Sequence, residues 1–270
     1  MKKQTLLMIA GITRRLPSFF QNRRLLRLIC NPNKAFGKYS DSIVEIGGLS
    51  FILNPASFIE WEILFTGYFE KNTSRLIKKL SKLNSTVIDV GANIGCHTII
   101  MADAVGPNGR VLAFEPTPKF RNRLKKNIEI NHQKNVSISE YALAEKDSES
   151  FIYFSEASTN ERNNAVESGS LQSENVNLPH RIPVRIKTLD EICLNLESIN
   201  LIKIDTDGGD FNVLLGAEKT IEKHRPSVIF EWDEKSWLVA GHTLKMAEDF
   251  FKKLNYTLSQ VETNCLATPQ

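Results

Sequence analysis

The chain has 270 residues, 41% of them hydrophobic and 24% charged, which excludes a mainly disordered, collagen-like or coiled-coil chain. Its longest apolar run, Leu6–Ala10, is far too short to cross a bilayer. Four scattered cysteines (Cys30, Cys96, Cys193, Cys265) include no CxxC pair, which argues against a disulfide framework or zinc site and for a reducing compartment.

The net charge of +3 hides an asymmetry: residues 1–40 hold nine Lys/Arg and no acid, whereas the rest hold 25 basic and 31 acidic residues. A basic arm therefore precedes a mildly acidic body. Pro17 divides the arm into two helix-sized pieces, Thr5–Leu16 and Ser18–Cys30, each mixing Leu, Ile or Phe with Arg. The bland expectation is a lead-in that packs on the body and solvates its arginines. The sharper one is peripheral contact with an anionic membrane; a nucleic-acid arm is a third. Arg14–Arg15 follow the apolar run at once and no small-residue cleavage site is evident, so a signal peptide is not expected. The expected location is cytoplasmic, with the inner membrane face as the peripheral alternative. Residues 1–30 are expected to be removable with the body left folded.

Residues 41–84 suggest a small β element and a helix that dock on the body, residues 85–270. From there short β-branched runs alternate with helical stretches. Val87–Val90 predicts a buried strand before a Gly-rich turn, and His97–Val105 a helix closed by Gly106-Pro-Asn-Gly109. Val111–Glu115 is the next strand. Thr117 can cap a helix with Pro118 at its first position, running to about Asn131. Val136–Leu143 reads as a third strand and Phe151–Phe154 as an extra one. Residues 155–180, rich in Ser, Asn and Glu, read as a long surface loop. Strands follow at Val184–Ile186, Leu201–Asp205 and Ser227–Trp232, with a helix at Phe211–His224. A helix at Leu244–Leu254 leads to strands Tyr256–Val261 and Asn264–Ala267. This alternation predicts an α/β fold, a mainly parallel sheet covered on both faces.

The turn Asp89-Val-Gly-Ala-Asn-Ile-Gly95 follows a buried strand and opens a helix. Gly91 and Gly95 allow a tight turn and close approach of a ligand. A dinucleotide loop would read GxGxxG, with a pyrophosphate on the helix N-terminus. Here the spacing is DxGxxxG, and the acid at the strand's end repels a pyrophosphate but suits an ammonium or sulfonium. S-adenosylmethionine carries both cations and no phosphate. Glu115 ends the next strand, where a carboxylate can accept hydrogen bonds from both ribose hydroxyls. Tyr141-Ala142-Leu143 ends the third, with room for an adenine edge or with Tyr141 simply packed on the sheet.

These residues resemble those of the FkbM family of class I S-adenosylmethionine-dependent methyltransferases. The resemblance rests on Val87-Ile-Asp-Val-Gly-Ala-Asn-Ile-Gly95, Ala113-Phe-Glu-Pro116, Ala142-Leu143, and Leu201-Ile-Lys-Ile-Asp-Thr-Asp-Gly208 leading to Val213-Leu-Leu-Gly-Ala217. Gly67-Tyr-Phe-Glu70 and Arg225-Pro226…Phe230-Glu231 also fit, so that residues 60–268 are covered and the basic arm is not. It implies a Rossmann-like, mostly parallel seven-stranded sheet with an N-terminal helical/β extension. It further implies O-methylation of a hydroxyl on a sugar or glycan, a lipid-linked glycan or another small molecule. The family usually reads I-D-V-E-G-x-E; here Asp207 and Asp210 replace the two glutamates, and His97 stands where an aromatic residue is common.

The expected cofactor site is Asp89, Gly91, Ala92, Asn93, Gly95, Glu115, Ala142 and Asp205. Methyl transfer needs the acceptor oxygen held in line and, for a sugar hydroxyl, a base or cation to assist. Asp205 is the first candidate as organiser and base, Asp207 the second, and His97 a third on pKa grounds. Lys203, on the same face as Asp205 by strand alternation, and Glu231 are candidates to orient the acceptor. Asp205, Asp207 and Asp210 could gather around Mg²⁺, but three acids in such a turn more often serve the helix that follows, so no metal site is expected. A nicotinamide oxidoreductase lacks its pyrophosphate loop here. A nucleic-acid enzyme lacks the Asn/Asp-Pro-Pro-aromatic turn that holds a flipped base. The non-enzyme alternative is a binder of cofactor, membrane or partner without turnover.

Overall fold

Near the chain's start, short amphipathic pieces bury one face each. The computed structural model describes residues 2–17, 21–32, 39–154 and 180–270. Helices α1 (Lys3–Arg15) and α2 (Arg23–Ile29) precede a hairpin of β1 (Ser42–Ile46) and β2 (Leu49–Leu53). Gly47 and Gly48 take φ of +61° and +84° there, the left-handed pair that a two-residue hairpin turn requires. Helices α3 (Phe58–Thr66) and α4 (Lys71–Leu80) follow. The Asn127 and Asn131 side chains accept from the backbone N–H of Ile52 and Ser50, both at 2.8 Å, and so tie the hairpin to the body.

The arm packs on the body. Leu6, Ala10, Leu26 and Cys30 share one apolar cluster with Trp61, Phe65, Ile94 and Ile99. The Trp61 indole N–H donates to the Cys30 carbonyl at 2.8 Å, and the Thr13 hydroxyl donates to the Phe65 carbonyl at 2.8 Å. Deleting residues 1–30 would uncover Trp61 and Phe65, both fully buried.

The body then alternates as predicted: β3 (Thr86–Val90), α5 (Cys96–Val105), β4 (Arg110–Phe114), α6 (Pro118–Ile130), β5 (Val136–Ser139), β6 (Ala142–Leu143), β7 (Ser148–Phe154) and β8 (His180–Lys187). After α7 (Leu189–Ile192) come β9 (Leu201–Ile204), α8 (Asp210–Leu215), α9 (Glu218–His224), β10 (Ser227–Glu231), α10 (Glu234–Val239), α11 (Leu244–Lys253), β11 (Tyr256–Val261) and β12 (Asn264–Pro269). Seven strands form one sheet in the order β11-β12-β10-β9-β3-β4-β5. β10 through β5 run parallel, and β12 is antiparallel to both its neighbours. This strand order, mostly parallel with one antiparallel strand, is the seven-stranded α/β sheet that the resemblance implied. Strand alternation divides the core: Ile88, Val90, Ile202, Ile204 and Phe230 join one cluster, while Val87, Leu201 and Ile229 join Ile77, Met101 and Val105 on the opposite face.

Three predicted elements differ. The strand expected at Val136–Leu143 breaks after Ser139, whose hydroxyl accepts the Tyr141 N–H at 3.3 Å and turns the chain; Ala142–Leu143 then pairs with β8 in a second, three-stranded sheet with β7. The helix expected at Phe211–His224 is divided at Gly216, where a Cβ would meet the Ala144 carbonyl oxygen at 2.0 Å. Asp190 caps the second half, accepting from the Lys219 and Thr220 N–H groups. Thr117 occupies the predicted N-cap of α6, but its side chain makes no capping bond. The expected loop 155–180 lies, except for His180, outside the described residues.

Candidate functional site

Sheet order departs from chain order around β3: β4 and β5 lie on one side, β9 and β10 on the other. Ligands of open α/β sheets bind beyond the strand ends at such a switch. A cavity of about 280 Å³ opens there, lined from the ends of β3, β4, β9 and β10 and the turn after β5.

The turn after β3 is built by close backbone approach. Gly91 has φ +77°, and a Cβ on it would lie 1.7 Å from the Asp205 carbonyl oxygen. The Asp205 N–H in turn donates to Val90 O at 3.0 Å. The two turns that carry the site are thus in contact, and the glycine serves that contact in addition to any ligand. Gly95, at φ +92°, has Leu124 where its Cβ would be; it seats α5 against α6 and does not line the cavity. Asn93, also left-handed, and Ala92 do line it.

Glu115 is nearly fully buried at the cavity wall. Its oxygens accept from the Asn93 N–H at 2.8 Å and the Thr117 N–H at 2.7 Å. Burial pushes its pKa up, against these two bonds. The Thr117 hydroxyl bonds to the carboxylate as well, and three bonds leave part of its roughly four-position acceptor capacity. Tyr141, Ala142 and Leu143 form the adjoining wall.

Asp89 is placed elsewhere. It is fully buried and does not line the cavity. The Thr98 hydroxyl donates to its Oδ2 at 2.5 Å, and Lys203, its register partner on β9, brings Nζ to 3.6 Å from Oδ1. Asp89 therefore supports the site from beneath, which corrects its expected direct contact with the cofactor. Lys203 is buried too, and its Nζ donates to Asp205 Oδ2 at 3.0 Å. Burial opposes that charge, but the Asp205 and Asp89 carboxylates hold the ammonium well above the usual lysine range.

Among the described lining residues Lys203 is the only Lys or Arg, against Glu70, Glu115, Asp205, Asp207 and Glu231. Glu231 is pushed up to about 9 by burial and by the Asp205, Asp210 and Asp207 carboxylates. Asp207, left-handed at φ +52° and open to solvent at the mouth, is shifted upward by the surrounding protein and by the Asp205, Asp210 and Glu115 carboxylates. Asp210 is fully buried at the first turn of α8 and does not line the cavity; burial and Asp205 push it up to about 7. Among the described residues no three His, Cys, Asp or Glu side chains gather as a metal site.

His97 lines the cavity with its ring 6.0 Å from that of Phe69. Burial and Lys203 lower its pKa to about 4, and its buried Nε2 has no partner. Neutral at physiological pH, it is a weak base and a ready hydrogen-bond partner for a ligand.

The docking segment supplies lining residues to which sequence reasoning gave no role. Phe58 and Ile59 open α3, and Phe69 and Glu70 precede α4. Glu70 is left-handed at φ +48° and accepts from Asn264 Nδ2 at 3.1 Å and Thr263 Oγ1 at 3.3 Å. Its only sequence signal was its place in Gly67-Tyr-Phe-Glu70.

With this geometry in place, the model of the methyltransferase FkbM domain matches residues 89–258. Methyltransferase 1 of Beauveria bassiana is 26% identical over 182 residues, 62% of this chain and 72% of that protein. The AMB antimetabolite synthetase AmbE of Pseudomonas aeruginosa is 30% identical over 228 residues, 73% of this chain but a 10% portion of that protein. The 2-O-methyltransferase NoeI of Sinorhizobium fredii is 23% identical over 160 residues, 56% of this chain and 65% of that protein. Among solved structures, methyltransferase FkbM from Methylobacillus flagellatus aligns at 13% identity and a TM-score of 0.47, covering 76% of this chain and 52% of that one.

Proposed function

The chain belongs to the FkbM methyltransferase family, and on that premise we propose that it transfers the methyl group of S-adenosylmethionine to a hydroxyl of a glycan, a lipid-linked glycan or another small molecule. The observation that carries the donor assignment is the Glu115 carboxylate, fixed at the cavity wall by two backbone N–H groups and the Thr117 hydroxyl with acceptor capacity left over. A ribose offers two hydroxyls to such a group. The surplus of carboxyl groups over Lys203 suits a ligand bearing an ammonium and a sulfonium. The hydroxyl acceptor is supported by the likeness to a 2-O-methyltransferase.

The bound donor supplies the activated methyl group. The chain's own residues do the rest. Lys203 fixes Asp205 at the cavity floor, and Asp205 orients the acceptor and takes its proton, with Asp207 at the mouth as the alternative. Glu231 holds further acceptor hydroxyls, and His97 Nε2 accepts a hydrogen bond without taking the proton. Apolar Phe58, Ile59 and Phe69 limit water at the reacting centre.

Isothermal titration tests this reading. S-adenosylmethionine is expected to bind and NAD not to bind. Glu115→Ala should weaken the donor by about 1.5–3 kcal/mol, the scale of lost hydrogen bonds to a charged group. Unchanged affinity in E115A would overturn the donor assignment. Mass spectrometry of glycans and lipids that lose a methyl group on gene deletion then identifies the acceptor.

Donor binding should also depend on pH. Glu231 stays protonated up to about 9 in the donor-free protein. Because the folded state holds this proton more tightly than the unfolded chain, the group's contribution to stability falls as pH rises from 4.5 toward 9. A cationic ligand favours the ionised carboxylate, so binding releases protons and tightens as pH rises through the same window. Titration in buffers of different ionisation enthalpy should show that release, and S-adenosylhomocysteine, which lacks the sulfonium, should show less of it.

A further inference from the structure

The arm's two helices present apolar residues on the side away from the core. In α1, Leu6, Ala10 and Thr13 are buried, while Met8, Ile12 and the following Leu16, at spacings of four, are 62%, 54% and 40% exposed. In α2, Leu26 faces the core, while Leu25, Leu28 and Ile29, at i, i+3 and i+4, are 56%, 84% and 42% exposed. Spacings of three and four place Met8 with Ile12 along one face of α1 and the α2 trio along one face of α2, and Leu16 follows at the end of α1. Lys2, Arg15, Arg24 and Arg27 are exposed beside them, and residues 1–40 contain no acid.

Both helices are already folded and held. Besides the Trp61 and Thr13 bonds, Gln21 Nε2 donates to the Thr13 and Leu16 carbonyls, and the Arg27 guanidinium lies 5.2 Å over the Phe58 ring. The apolar strips are therefore the outer faces of fixed helices.

We infer that this face is a docking surface for an anionic lipid bilayer. Large side chains exposed in rows, flanked by cations, match an interface whose headgroups are negative and whose next layer is hydrocarbon. Charge selects this occupant over a second copy of the chain: a two-fold contact would set one acid-free basic arm against another, and like charges across an interface oppose association. Docking would hold α3, whose Phe58 and Ile59 line the cavity, close to the lipid surface. On the methyltransferase reading above, that favours a lipid-linked acceptor.

The test is co-sedimentation of the full chain with phosphatidylcholine vesicles, with and without phosphatidylglycerol. The wild type is expected to partition onto the phosphatidylglycerol vesicles and to be released by high salt. The quadruple variant M8S/I12S/L25S/L28S changes exposed positions only and should lose about tenfold or more of that partitioning. Arg15→Glu with Arg24→Glu should abolish the preference for anionic vesicles. Equal partitioning of wild type and quadruple variant, or no binding by the wild type, overturns the proposal. So does a wild-type dimer in gel filtration that the quadruple variant converts to monomer, because the face would then join two copies. All variants should bind S-adenosylmethionine as the wild type does, so failure here is distinct from failure of the donor assignment.

Discussion

Lys203→Met is expected to lower folding stability by about 3–5 kcal/mol, the cost of removing one partner from a buried ion pair. Lys203 and Asp89 stand opposite each other on β9 and β3, almost wholly shielded from water, with 3.6 Å between their charged atoms. Methionine fills the aliphatic volume but leaves Asp89 with only the Thr98 hydroxyl. Loss on this scale is a large part of the roughly 5–15 kcal/mol that separates most folded domains from their unfolded chains. The double variant K203M/D89N should recover most of it, since the amide oxygen still accepts from Thr98 and the one carboxylate left without the lysine, Asp205, is partly exposed to water. Urea unfolding of the two variants measures the difference. If K203M unfolds like the wild type yet loses ligand affinity, the lysine is a direct ligand contact and the buried pair contributes little to the fold.

Asp89 also shows where sequence reasoning fails. Its motif places it at a strand end, as Glu115 and Asp205 are placed, and the three carboxylates read alike. In the structure β3 ends at Val90 and the turn begins at Gly91. Asp89 is still inside the strand, level with Ala113 and Lys203 and two positions short of Glu115 and Asp205, so its side chain lies buried beside Lys203. Glu115 and Asp205 each lie one residue past their strand and line the cavity. Two residues of register thus separate a cavity-lining carboxylate from a buried one, and a motif read as letters does not carry that register.

The same limit governs the rest. The central strands were legible because buried parallel strands are continuous β-branched runs. The breaks at Ser139 and Gly216 were not, because a turn hydroxyl and the passing Ala144 backbone decide them. That Glu231, Asp207 and His97 line one cavity was legible because strand ends and helix starts converge on one edge of the sheet. Phe58, Ile59 and Glu70 come from the docking segment, whose placement depends on the arm, the hairpin and the Asn264 bond to Glu70. No periodicity within residues 58–70 encodes that placement.

Gly91→Ala is the second large effect expected, and it couples fold to site. Left-handed backbone costs a residue with a Cβ about 1–2 kcal/mol. A further cost of about 1–3 kcal/mol follows from overpacking, because the atom in the way is the Asp205 carbonyl oxygen at 1.7 Å, with its carbon at 2.8 Å. Backbone cannot swing aside as a side-chain tip can. Relief requires moving the whole turn after β9, which carries Asp205, Thr206 and Asp207 into the cavity. Gly48→Ala separates the two contributions: its φ is also positive at +84°, but nothing lies within 4 Å of the added carbon. G48A should lose only the conformational part and bind S-adenosylmethionine normally, whereas G91A should lose about 2–5 kcal/mol together with most of its donor affinity. Paired urea unfolding and calorimetric titration read both quantities. Matching losses in the two variants would mean that the turns after β3 and β9 separate easily, and that the cavity does not depend on their contact.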